Sequence, residues 1–184
     1  NGGGSLTEAT LLTGLFIDKG PVVQVVSKPN RRQVLDDRNA GVAYDGPIVI
    51  LIDRYSASAS EIFAGAMQDY GRALVIGERS FGKGTVQAPS KLRDGNSPRK
   101  SQIKFTNAQF YRISGSSTQY KGVVPDLKLN AGKEDDEFGE RYYDNALPWS
   151  TTQAASYTPG DFSPFVLEKL CEAHLRRSEE SPAF

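Results

Sequence analysis

Apolar positions follow helical spacing at both ends of the chain and strand patterns between them. Leu11, Leu12, Leu15 and Phe16 recur three and four residues apart, which predicts a helix from about residue 6 to 18. Ser5-Leu6-Thr7-Glu8 has the form of a capping box at its start, competing with a plain linker reading of the opening glycines, and Gly20-Pro21 stops it. Val22 to Ser27 and Arg31 to Leu35 read as strands, and Asp36 to Gly46 is polar and turn-rich. Ile48-Val49-Ile50-Leu51-Ile52 is the continuous aliphatic run expected of a strand covered on both faces in a parallel sheet. A second helix is predicted from about Ala59 to Tyr70, with Ile62, Phe63, Ala66, Met67 and Tyr70 on one side and Gly71 as its stop. Ala73-Leu74-Val75-Ile76 follows as another buried strand. Strand, helix and strand over 48–76 form a right-handed βαβ crossover, which places the fold in the α/β class. Ligands of such sheets gather beyond the carboxyl ends of the strands, here residues 53–58 and 77–83.

Beyond this unit the pattern turns to β. Gln102 to Phe105 is expected to pair with Ala108 to Ile113, with turns at Asp94-Gly95-Asn96 and Ser114-Gly115. From Gly132 to Asp144 six acids stand against Lys133 and Arg141, the composition of a solvated linker. Ser163-Pro164 opens a last helix, with Leu167, Leu170, Cys171, His174 and Leu175 at helical spacing. The domain reading is therefore a core over 1–130, an acidic linker over 131–144 and a helical extension over 145–184. The chain opens on Asn instead of Met, so it is expected to be a piece of a longer polypeptide, and absent targeting segments say nothing of location.

Composition narrows the chemistry. The 22 basic and 22 acidic side chains cancel, which lends no support to a nucleic-acid or membrane-surface role. Cys171 and His174 are the one cysteine and the one histidine. An internal disulfide is thus impossible, and a Ser-His-Asp triad would have to run through a terminal helix that nothing places near a strand-end serine. The C-x-x-H pair supplies two ligands where a metal needs three or four, so a packed helix face is the expectation there.

Two loops at the predicted ligand end carry candidate chemistry. Gly77-Glu78-Arg79-Ser80-Phe81-Gly82-Lys83-Gly84 nearly spells a phosphate loop, but Gly84 stands where a magnesium-binding hydroxyl belongs and Thr85-Val86-Gln87 continues as strand. Ser58, between a buried strand and a helix, reads first as an N-cap with Glu61 completing a capping box. Small neighbours that leave room for a substrate backbone, and a helix N-terminus whose amides suit an oxyanion, favour more than a cap. The crossover brings Lys83 to the same end, the arrangement of a Ser-Lys dyad. A lysine base must be neutral, which calls for apolar cover and no adjacent carboxylate. Phe81 is expected to supply the cover, Glu78 to point away, and Gln87 to hold the amine toward Ser58 without charging it.

The stretch from Asp53 to Arg72, the loop from Gly77 to Gln87, Asn1-Gly2-Gly3-Gly4, Phe110 to Gly115 with Thr118-Gln119, Gly122-Val123-Val124-Pro125-Asp126 and Asp144 to Trp149 together resemble the carboxyl-terminal processing peptidases, the bacterial tail-specific proteases above all. The resemblance implies a serine endopeptidase on a crotonase/ClpP-like sheet-and-helix core, with extra β segments and a C-terminal helical tail. It implies Ser58 as nucleophile, Lys83 as general base, Gln87 as its orienter and the Ala59 and Gly4 amides as oxyanion hole, without metal or cofactor. It further implies protein or precursor substrates with exposed apolar C-termini, and a periplasmic or otherwise exported location, with an association with the inner membrane. The family's PDZ module and the strand before its Gly motif have no counterpart here, so the fragment alone is expected to be weakly active or inactive. The rivals are a noncatalytic binding module on the same fold, as in retinoid-binding repeats of related architecture, and a nucleotide-binding protein. The intact Ser58, Lys83 and Gln87 set argues against the first.

Overall fold

The computed structural model describes residues 2–29, 31–91, 101–129, 138–160 and 164–181. Helix α1 (Leu6–Gly14) is followed by strands β1 (Gly20–Ser27) and β2 (Arg31–Asp37). Next come β3 (Val49–Ile52), helix α2 (Ala59–Asp69) and β4 (Leu74–Gly77). Strands β5 (Thr85–Lys91), β6 (Gln102–Tyr111) and β7 (Leu127–Lys128) precede helix α3 (Pro164–Glu180). A four-stranded antiparallel sheet has the order β2-β1-β6-β5, and a three-stranded parallel one the order β3-β4-β7. The predicted crossover is present: β3 and β4 pair in parallel from Val49 opposite Leu74 to Ile52 opposite Gly77, with α2 between them in the chain.

Helix α2 lies between the two sheets, which explains its small residues. Ile62 and Ala66 pack with Ala9, Ile17, Val22, Val23 and Phe110 on the side of the larger sheet. Ala64 packs with Ile52, Val75 and Val123 on the other. A helix covered on two sides has no broad polar face, so the one-sided pattern expected for 59–70 is replaced by burial of Glu61, Ile62, Ala64, Gly65, Ala66 and Met67. Gly71 adopts a φ of 60° at the helix stop, as expected. Beside α2, Arg112 grips Asp69 with two hydrogen bonds, Nη2 to Oδ1 at 2.7 Å and Nε to Oδ2 at 3.0 Å, which fixes the start of the 112–119 loop against the helix.

Several expectations are corrected. Helix α1 ends at Gly14, short of residue 18, with turns over 15–19 before β1. Strand β3 is not covered on both faces: Leu51 is 74% exposed and Val49 56%, two residues apart on one face, while Ile50 and Ile52 on the other pack against Ala64, Val75 and Val123. Residues 102–105 and 108–111 do not pair with each other but form one continuous strand, β6, held by β5 on one side and β1 on the other. The turn expected at 94–96 and the Ser163 cap lie outside the described residues. So does the first part of the acidic stretch, but Phe138 stacks edge-on against Phe81 and Tyr55, and Glu140 donates its amide to the Phe81 carbonyl at 2.9 Å. Residues 138–141 are therefore packed on the core, while 142–144 stay exposed as a solvated stretch would. The chain from 149 to 160 continues along the core, with Trp149 Nε1 donating to the Ser117 carbonyl at 3.0 Å, Ala155 to Ile113 and Gly160 to Tyr70.

Candidate active site

The carboxyl ends of β3 and β4 are tied to each other, the Glu78 amide donating to the Ile52 carbonyl at 3.0 Å. The chain leaving β3 turns at once. Asp53 Oδ1 accepts from the Tyr55 amide and the Ser56 hydroxyl, and the Ser56 carbonyl accepts from the Phe81 amide at 2.9 Å. This closes the 53–58 turn against the 78–83 loop. Ser58 then sits at φ 59° and ψ −116°, a conformation that side-chain-bearing residues rarely adopt and that costs on the order of 1–3 kcal/mol. Strain at a serine between a strand and a helix N-terminus lifts the side chain off the sheet and aims the first helical amides at whatever the hydroxyl meets.

Glu61 holds that turn. Its carboxylate is buried and takes four donors: Ser80 Oγ at 2.6 Å and the Gly82 amide at 2.8 Å on Oε1, the Ser58 amide at 2.7 Å and the Lys83 amide at 3.0 Å on Oε2. The helix-capping role expected of Glu61 is thus half of what it does. One carboxylate joins the backbone of Ser58 to that of Lys83 across 25 positions of sequence. Burial pushes its pKa up to about 7, against the pull of the Ser80 hydroxyl and the three amides.

The Lys83 loop is accounted for peptide by peptide. The Gly82 carbonyl accepts from Tyr120 at 2.8 Å, the Lys83 carbonyl from Thr118 Oγ1 at 3.4 Å and the Gly84 carbonyl from Phe110 at 2.9 Å, while the Gly84 amide donates to Gln119 Oε1 at 2.8 Å. Gly84 then enters β5 directly, so no helix follows the glycine-rich loop as nucleotide binding requires. Lys83 belongs to none of the ion pairs among the described residues, and Glu78 is turned to Arg54 at 2.9 Å. Phe81, expected to cover the lysine, instead faces Phe138 and Tyr143. It anchors the loop from behind.

A pocket of about 310 Å³ brings the candidates together. Gly4, Ser58, Ala59, Lys83 and Gln87 all line it, with Lys104 and Phe110 among its walls. Among the described residues no hydrogen bond links the Ser58, Lys83 and Gln87 side chains to one another. Gln87 is exposed on β5 and Lys83 half-buried. The sequence reading missed how the glycine turn is seated. Gly3, at φ 101°, lies against the Ser58 turn so closely that a Cβ would come within 2.7 Å of the Ala57 carbonyl and 2.8 Å of Ser58 Cβ, whereas one on Gly4 would meet nothing within 4 Å. Gly3→Ala is therefore expected to push the turn off Ser58 and lower activity at least about tenfold, with Gly4→Ala nearly neutral. Parallel assays of the two variants check this, and equal activities would count against the seating.

On the far side, the fully buried Gln119 sends its Nε2 to Glu140 Oε1 at 3.0 Å and to the Leu147 carbonyl at 3.2 Å. Thr118-Gln119 stands out in the sequence as part of the family pattern, but nothing local marks it as a neighbour of Lys83. His174 and Cys171 do not join the pocket. Helix α3 carries Cys171 to within 3.9 Å of the Asp126 carbonyl, on the segment leading into β7.

Comparison with known proteins places the site in context. Residues 1–129 match the model of peptidase family S41, and 134–184 match the C-terminal domain of tail specific protease. The tail-specific protease of Haemophilus influenzae is 44% identical over 190 aligned positions, covering all of this chain and 27% of that protein. A probable CtpA-like serine protease of Staphylococcus saprophyticus is 38% identical over 131, covering 70% of this chain and 26% of the relative. The chain thus spans about a quarter of the length of either. Among solved structures, the photosystem II D1 C-terminal processing protease superposes with a TM-score of 0.60 at 32% identity, over 70% of this chain and 32% of that one. An S41 protease structure from Bacteroides fragilis shares the fold, with a TM-score of 0.54 at 16% identity, over 98% and 43% of the two chains.

Proposed function

Because this chain belongs to peptidase family S41, we propose that it carries the catalytic core of a serine endopeptidase in which Ser58 is the nucleophile and Lys83 the general base, on a crotonase/ClpP-like core. The observation that carries the reading is the single pocket lined by Gly4, Ser58, Ala59, Lys83 and Gln87, with Ser58 held at a strained strand-to-helix turn. Ser58 Oγ attacks the scissile carbonyl carbon as its proton passes to the Lys83 amine. The oxyanion accepts from the Ala59 and Gly4 amides. Collapse breaks the C–N bond, and the leaving amine takes the proton from the Lys83 ammonium. Water then attacks the acyl-Ser58 ester, giving a proton to Lys83, and a second collapse returns that proton to Ser58 and frees the new carboxylate. Gln87, on β5 at the rim of the pocket, orients the amine without adding a charge.

The substrates we propose are proteins and precursors with exposed apolar C-termini, and the location periplasmic or otherwise exported, associated with the inner membrane. Support for both is the likeness to tail-specific and carboxyl-terminal processing proteases. The test uses the whole protein and two unstructured reporters that differ only in their last residues, one ending in an apolar tripeptide and one in Asp-Asp-Asp. Faster turnover of the apolar-tailed reporter, by about tenfold or more, is expected, since burying even one aliphatic side chain is worth about 1.5–3 kcal/mol. Equal rates would remove tail recognition from the proposal.

A further inference from the structure

The residues that follow the core, 138–147, do more than continue the chain. We propose that they are a positioning element for Lys83, acting through Gln119, so that the C-terminal module completes the base of the reaction. The inference rests on Lys83 being that base. Gln119 is fully buried, and its side-chain amide makes three hydrogen bonds that use both of its hydrogens. Oε1 receives the Gly84 amide at 2.8 Å, and the two hydrogens of Nε2 go to Glu140 Oε1 at 3.0 Å and the Leu147 carbonyl at 3.2 Å. One side of this amide therefore holds the peptide next to Lys83 and the other is held by the C-terminal segment. Gly84 allows the approach, since a Cβ there would lie 2.6 Å from the Gln119 backbone nitrogen and 2.7 Å from Gln119 Cβ.

A second line of contact reaches the same loop from the same segment. The Glu140 amide donates to the Phe81 carbonyl at 2.9 Å. Phe138 and Tyr143 flank the Phe81 ring, at centroid distances of 5.6 and 6.3 Å. Gly139, at φ 120°, sits against the Phe81 carbonyl, where a Cβ would come within 3.0 Å. Both ends of 81–84 are thus tied to 138–147, and Glu61 holds its middle through the Gly82 and Lys83 amides. None of these groups lines the pocket, so the element acts on the placement of Lys83 and not on substrate.

The pair Gln119 and Glu140 offers a test that separates positioning from packing. Gln119→Glu keeps an acceptor for the Gly84 amide but sets a second oxygen against Glu140 and Leu147. In the whole protein it is expected to lower kcat by about 100-fold, the scale of an ångström of misplacement, with KM nearly unchanged. Glu140→Gln retains a carbonyl for Gln119 and loses far less. In the Gln119→Glu, Glu140→Gln double variant the new amide donates to the new carboxylate, and kcat should recover by at least about tenfold over Gln119→Glu alone. Unchanged kcat in Gln119→Glu overturns the proposal. So does a loss that the double variant does not recover, including loss of the folded state in both, which would make the role one of packing. Ser58→Ala is run alongside: full activity there would remove the dyad itself, whatever Gln119 and Glu140 do.

Discussion

With Ser58 replaced by Ala, turnover of an apolar-tailed substrate by the whole protein is expected to fall by on the order of 10⁴-fold or more, to what binding and the oxyanion amides leave behind. The loss follows from the chemistry, since without Oγ no acyl-enzyme can form. Lys83→Ala should cost about 10²–10⁴-fold, the usual worth of a positioned base. Lys83→Arg should do no better, because a guanidinium does not give up its proton and its planar fork does not fit the space of an amine. Substrate affinity should change little in all three, since the nucleophile and base of the proposed dyad act on the reacting bond. Steady-state proteolysis with peptide binding measured in parallel reads both. Near-parental turnover by any of these variants would rule out the dyad.

The second large effect is expected at a residue that never meets substrate. Glu61 is 1% exposed and accepts four hydrogen bonds, three of them from backbone amides. In Glu61→Gln one carboxylate oxygen becomes an NH₂. With the remaining oxygen on Ser80 and Gly82, the amides of Ser58 and Lys83 face a donor, at about 1–3 kcal/mol for each unsatisfied group. The Ser58 turn and the Lys83 loop then lose their shared anchor, and activity should fall by about 100-fold. Undiminished proteolysis in Glu61→Gln would show that the two loops hold their places without it.

The same residue predicts opposite pH trends for stability and for alignment. An exposed glutamate titrates near 4.5, and burial pushes Glu61 to about 7, so the folded state holds this proton more tightly than the unfolded chain. Its contribution is present in full below about 4.5 and lost as pH rises through about 7, on the order of 3 kcal/mol in all. The four donors, however, are best satisfied by the ionised carboxylate, so activity should fall as pH drops below about 7. Urea unfolding between pH 5 and 8 reads the first trend and should show a flatter slope in Glu61→Gln. An identical slope in both proteins would assign it to another group.

Much of the crossover was legible because its signals are local. The aliphatic run before Ser58, the small-residue helix after it and Gly71 as its stop each depend on a few neighbouring residues, and the parallel pairing follows from chain handedness. The same logic places Ser58 and Lys83 at one end of the sheet. It did not anticipate that Ser58 lies at positive φ, because a serine carries no mark of the strain that its surroundings impose. Nor did it place Phe81, whose ring turns to Phe138 and Tyr143, residues brought there by long-range packing. Charge composition suggested a solvated linker for 132–144, yet composition reports average solvation and not the particular contacts of Gly139 and Glu140 with the Phe81 carbonyl.

The sequence by itself determined the α/β class, the serine and lysine that line one pocket at a strand end, and the exclusion of an internal disulfide, since periodicity, handedness and residue counts act without knowledge of distant partners. Only the tertiary structure decided what holds those two residues in register. Glu61 does so from within α2, Gln119 from the loop after β6, and Gly3 by a close approach to the Ser58 turn. The reason is physical: a buried carboxylate or amide must find all of its partners inside the fold, and which distant backbone groups become those partners is settled only when the chain has closed around them.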